Sequence, residues 1–98
     1  MPAYLIANLT VHDPVKFEAY RQAMPAMIAA HGGRYLVRGG ALEVKEGTPN
    51  LNRVIILEYP DMASARAFYD SAAYAPLLAL RLSAADGDVA FVEGVAPG

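Results

Sequence analysis

The chain has 98 residues, 55% of them apolar, with eight basic and ten acidic side chains for a formal charge of −2 and no cysteine. One core is the limit at this length, so a single domain over residues 1–98 is expected. The lack of cysteine excludes disulfides, thiolate metal sites and a cysteine nucleophile. The absence of any Lys/Arg cluster argues against a nucleic-acid surface, and with no membrane span or signal peptide a cytoplasmic location is the default expectation.

Residues 3–11 alternate Ala3, Leu5, Ala7, Leu9 and Val11 with Tyr4, Ile6, Asn8 and Thr10, the two-residue period of a strand. Asp13 before Pro14 marks a helix start, since Asp accepts an orphan backbone N–H and proline has none to lose at the first helical position. Over residues 15–31, Phe17, Tyr20, Met24, Met27, Ile28 and His31 recur at steps of three and four, one side of a helix that packs on a sheet. Pro25 removes a hydrogen bond within this pattern, so a kink or break near residues 21–24 is expected, and Gly32-Gly33 ends the helix.

Residues 34–46 read as a second strand in which Gly39-Gly40 shifts the apolar positions from Tyr35 and Val37 to Leu42 and Val44. A bulge at the glycines returns all four to one face. Residues 46–50 carry hairpin turn chemistry, and 52–59 form a third strand. Pro60-Asp61 opens a second helix over 62–71, with Met62, Ala65, Phe68, Tyr69 and Ala72 on its apolar side. Residues 75–84 form a further helical piece whose Leu77, Leu78, Leu80 and Leu82 predict cover on more than one face. Residues 85–88 read as a turn and 89–93 as a last short strand.

The order β-α-β-β-α-β predicts a ferredoxin-like α+β fold, with a four-stranded antiparallel sheet carrying its helices on one face. The strands are apolar on both sides: Ile55 and Leu57 oppose Val54 and Ile56, and Leu5 and Leu9 oppose Tyr4 and Ile6. A sheet covered on one side alternates more cleanly. The face away from the helices is therefore expected to pack on a second copy across a two-fold axis, as a homodimer, and to hold the pocket.

The ordered set His31-Gly32-Gly33-Arg34-Tyr35-Leu36-Val37-Arg38-Gly39-Gly40, Val54-Ile55-Ile56-Leu57-Glu58-Tyr59-Pro60, Phe68-Tyr69-Asp70-Ser71 with Tyr74, and Arg81 ahead of Ala84-Ala85-Asp86-Gly87 resembles the family catalogued as domain of unknown function 1330. Tyr59 stands where that family commonly has Phe. The resemblance implies a dimeric α+β barrel, two sheets closed face to face, and no assigned activity. The wider superfamily it implies includes cofactor-independent monooxygenases, haem-degrading enzymes, lactone isomerases and proteins with no known reaction, so fold analogy does not choose a chemistry.

Several residues carry candidate chemistry. Glu58 shares a strand face with Val54 and Ile56, where it is either a desolvated general acid or base or an ion-pair partner of Arg38, Arg53 or Arg81. Arg38, re-aimed by the bulge, and Arg81, on the stripe of Leu77 and Leu78, either hold a carboxylate ligand or form buried Arg–Glu pairs. Tyr20 and Tyr69 face inward from their helices, as core or, with Tyr74, as a pocket lining that orients a ligand oxygen. His31 sits at a helix C-terminus, where it caps the helix or, in a haem binder, supplies an axial ligand. Two histidines without metal-ligand spacing predict no metal site, and no cofactor is expected. The leading reading is a dimer that binds a small organic molecule, with carboxylates among the candidates. The alternatives are a cofactor-independent monooxygenase or isomerase using Glu58 as acid or base with Arg38 positioning the substrate, and a purely structural dimer.

Overall fold

The computed structural model describes residues 1–96. Its elements run β1 (Ala3–Val11), α1 (Pro14–Ala30), β2 (Arg34–Arg38), β3 (Arg53–Tyr59), α2 (Met62–Tyr69), α3 (Ala75–Ala84) and β4 (Ala85–Glu93). The four strands form one sheet in the order β2-β3-β1-β4, with every neighbouring pair antiparallel, which is the ferredoxin-like arrangement. No helix among the described residues is long and apolar enough to cross a membrane.

Local chemistry sets the helix starts as expected. The Asp13 carboxylate accepts the Lys16 N–H at 3.1 Å and Pro14 follows in the first turn; the Asp61 carboxylate accepts the Ser64 N–H at 2.7 Å. Those bonds from Ser64 favour the ionised Asp61 and hold its pKa below the usual carboxylate value. Pro25 does not break α1. The carbonyl of Arg21, four residues back and denied its helical donor, instead accepts from Arg38 Nη2 at 3.4 Å.

Three sequence expectations change. The bulge in β2 lies between Tyr35 and Val37 rather than at Gly39-Gly40, and the strand stops at Arg38, with one further bond from the Gly39 N–H to the Val54 carbonyl. Residues 85–88 are not a turn: β4 begins at Ala85, directly after α3, and pairs with β1 along its whole length. The Ala84 carbonyl makes the abrupt change possible by accepting the N–H groups of both His12 and Asp13, which ties the end of α3 to the start of α1. Leu82 of α3, expected to be covered, is exposed.

The core lies between the helices and one face of the sheet, built from Ala3, Leu5, Ala7 and Leu9 of β1 and Leu57 and Tyr59 of β3 beneath Phe17, Tyr20, Met24 and Ile28 of α1 and Phe68 of α2. Aromatic rings run through it, Tyr59 stacked on Phe68 at 5.4 Å and Phe68 tilted on Tyr74 at 4.6 Å between centroids. The Tyr59 hydroxyl is buried without a hydrogen-bond partner. An orphaned buried hydroxyl costs about 1–3 kcal/mol, so Tyr59→Phe, which keeps the ring, is expected to stabilise the protein by about 1 kcal/mol and raise the melting midpoint by about 5 °C. A lower midpoint in differential scanning calorimetry would mean that the hydroxyl has a partner.

Candidate functional site

Alternation along the strands separates two surfaces. The odd residues of β1 and their partners in β3 and β4 face the helices; the even ones, Tyr4, Ile6, Asn8 and Thr10 with Val54, Ile56, Glu58, Ala90 and Val92, face away. On this open face Ile6 is 40% and Val92 46% exposed. The expected apolar second face is therefore present in the chain.

The enclosed cavity is not on that face. It lies within the core, on the helix-covered side, where Leu5, Ala7, Leu9, Ile55 and Leu57 form a floor under Tyr20, Tyr69, Tyr74 and Arg81, with Tyr35 at the β2 side. The open face also carries a recess, more open, at Asn8, Thr10, Asn50, Leu51 and Asp86-Gly87-Asp88, whereas the helix layer builds closer walls around the space on the other side. The volume of the enclosed cavity is about 40 Å³. One water needs about 10–15 Å³, so the space holds about three waters or a small organic group of similar size.

Arg81 dominates the cavity chemically. It is 5% exposed and the only buried charged residue among those described. No carboxylate lies within ion-pair distance of it among the described residues, so the expected Arg–Glu pair does not form within the chain. Its neighbours are the phenols of Tyr74, Tyr20 and Tyr69; burial opposes its charge, Tyr74 supports it, and the balance holds the guanidinium above its ordinary pKa. The Tyr20 and Tyr74 hydroxyls share a hydrogen bond of 3.0 Å. Burial, reinforced by Tyr74, pushes the Tyr20 phenol far above its ordinary pKa, so it stays a neutral hydroxyl at physiological pH. The cavity therefore presents a permanent cation, neutral hydroxyls and apolar walls.

The other candidates lie elsewhere. Glu58 sits on the open face and pairs with Arg34, its cross-strand partner in the register, at 3.0 Å from Nη2 and 3.1 Å from Nε, not with Arg38, Arg53 or Arg81. Arg38 is exposed; its guanidinium covers the Tyr35 ring at 4.5 Å besides bonding the Arg21 carbonyl, and it does not line the cavity. His31 caps α1, its Nδ1 3.1 Å from the Met27 carbonyl and its ring edge-on to Phe68, and it too stays outside the cavity. The sequence reading missed Tyr35 as a lining residue and Arg34 as the partner of Glu58. Both follow from the β2–β3 register, which depends on where the pairing begins across a long connection.

A family profile described as domain of unknown function (DUF1330) matches residues 2–95. The chain belongs to this family. Among solved structures, the DUF1330 chain is similar to RPA0582 from Rhodopseudomonas palustris, a protein of unknown function, with 16% identity over 98% of this chain and 84% of that one and a TM-score of 0.74. It is also similar to SnoaB, a cofactor-independent oxygenase from Streptomyces nogalater, with 15% identity over 98% and 95% and a TM-score of 0.69. A third likeness is to Rv0793 from Mycobacterium tuberculosis, with 18% identity over 99% and 98% and a TM-score of 0.59. At these identities the likeness establishes the fold. No curated protein matches the DUF1330 chain in sequence.

Proposed function

We propose that this DUF1330 protein is a homodimer, associated through its open sheet face, in which each protomer holds a small organic carboxylate in the cavity at Arg81. The carrying observation is a guanidinium that is 5% exposed, enclosed by phenols and aliphatic side chains, without a carboxylate among the described residues. An uncompensated buried charge is costly, and a carboxylate ligand supplies the missing charge in a two-point, charge-assisted contact. Tyr20 and Tyr74 add hydroxyls for the ligand's remaining oxygens, and the volume selects acids with about three to five non-hydrogen atoms. The bare apolar face, with Ile6 and Val92 uncovered, supports association with a second copy.

The catalytic alternative loses its acid/base group, since Glu58 lies across the sheet from the cavity and is ion-paired. Any reaction in the cavity runs on phenols and a guanidinium.

Calorimetric titration with acetate, propionate, butyrate and benzoate tests the binding reading. The short acids are expected to bind to wild type and to Arg38→Ala alike, with affinity falling about a hundredfold in Arg81→Met, as for removal of one member of a buried charged contact. Binding unaffected by Arg81→Met, or no heat from any acid, would overturn it.

A further inference from the structure

Residues 39–52, which join β2 to β3, are exposed without interruption. Both ends of this arm are anchored. The Gly39 N–H donates to the Val54 carbonyl at 2.9 Å; at the far end Asn8 Nδ2 donates to the Asn50 carbonyl at 2.7 Å, the Asn52 N–H to Asn8 Oδ1 at 2.8 Å, and Asn52 Nδ2 to Thr10 Oγ1 at 2.7 Å. Asn8 and Thr10 belong to the open face, so the far end of the arm is tied to the side proposed for association.

Between the anchors, residues 40–49 make no backbone hydrogen bond with another described residue. Yet Leu42-Glu43-Val44-Lys45 alternates as a strand does. The ion pair of 2.6 Å between Lys45 Nζ and Glu43 Oε1 places those two side chains on one side of the arm, as extended backbone does. Leu42 and Val44, 42% and 45% exposed, belong to the other set. Free backbone groups, a two-residue period and exposed apolar side chains together describe a strand without a neighbour in its own chain.

We infer that the neighbour is the same segment of a second copy: residues 42–46 of two protomers pair antiparallel about a two-fold axis at Val44. Charge selects this register. Two-fold pairing within one sheet opposes residues of like parity, so the axis passes through a residue. An axis at Glu43 sets two carboxylates directly opposite each other, and one at Lys45 sets two ammonium groups opposite. An axis at Val44 sets Glu43 against the partner's Lys45 and Lys45 against the partner's Glu43. Directly opposed unlike charges stabilise a strand pair and like charges destabilise it. Registers centred further out draw Gly39-Gly40 or Pro49 into the ladder, where they weaken it. The inference rests on the self-association proposed above and adds the arm as a second contact between the copies.

The absence of cysteine makes a single introduced thiol an unambiguous reporter. Val44→Cys is expected to give a disulfide-linked dimer under mild oxidation, while Thr48→Cys, whose two copies lie about 26 Å apart in this register, gives none. In sedimentation equilibrium, Glu43→Lys and Lys45→Glu are each expected to raise the dimer dissociation constant by about tenfold, and the double exchange to restore it. These sites are exposed, and circular dichroism checks that each variant folds. A dimer indifferent to both single exchanges, or one in which Cys at position 48 cross-links as well as Cys at position 44, overturns arm pairing and leaves the open-face dimer standing. A wild-type chain that is monomeric at high micromolar concentration overturns both.

Discussion

In the absence of ligand, Arg81→Met is expected to unfold at a higher denaturant concentration than wild type, with a gain of about 1–4 kcal/mol. Methionine is unbranched and adaptable, so it can follow the path of the arginine stem into the cavity while removing the desolvated charge. Substitutions of buried ionic groups by apolar residues of similar volume give gains of this order, because the interior does not return what the ion loses in leaving water. The same variant is expected to lose its response to short carboxylates, whereas wild type gains stability in proportion to the logarithm of ligand concentration once binding saturates. Opposite effects on stability and binding mark a residue retained for a ligand. Urea titration of both proteins, with and without propionate, provides the measurement. If Arg81→Met is instead destabilised by more than about 1 kcal/mol, the guanidinium is a tether for Tyr74 and the carboxylate reading falls with it.

The features legible in the sequence are those whose causes are local. Asp13-Pro14 and Asp61 start their helices through contacts three residues away, and β1 declares itself by alternation that the register reproduces residue by residue. Tyr20, Tyr69, Tyr74 and Arg81 were also legible as inward-facing groups, and the structure gathers all four around one cavity. What the sequence did not disclose depends on distant partners. Glu58 meets Arg34 because β2 and β3 pair in one particular register across the arm, and no spacing rule expresses that. Residues 39–46, expected to continue the second strand, lie outside it, since no described residue offers residues 40–46 a ladder. For a similar reason the cavity on the helix side was not foreseen. Two-sided apolar strands show that both faces seek cover, but only three-dimensional packing shows which cover leaves a space.

Gly87→Ala is expected to cost about 3 kcal/mol or more and to loosen β4 from β1. Asp86-Gly87-Asp88 has the composition of a turn, yet Gly87 lies within β4, opposite Leu9, with φ of +153°. That value lies in the range that side chains rarely adopt, and a Cβ there runs into the backbone carbonyl oxygen of Asn8 rather than into a side chain able to turn aside. Alanine therefore adds backbone strain to a clash that moving the strand alone can relieve, and overpacking of this kind typically costs about 1–3 kcal/mol before strain is added. The damage is placed where the site depends on it. Val89, two residues on, lines the cavity, and Asn8 anchors the arm through Asn50 and Asn52. Native-state hydrogen exchange is expected to show lost protection along β4 and the facing residues of β1 while α1 keeps its own. Short carboxylates should bind correspondingly more weakly. Unchanged protection along β4 would show that the β1–β4 ladder absorbs the extra atom, and that the glycine is there for some reason other than the close approach of Asn8.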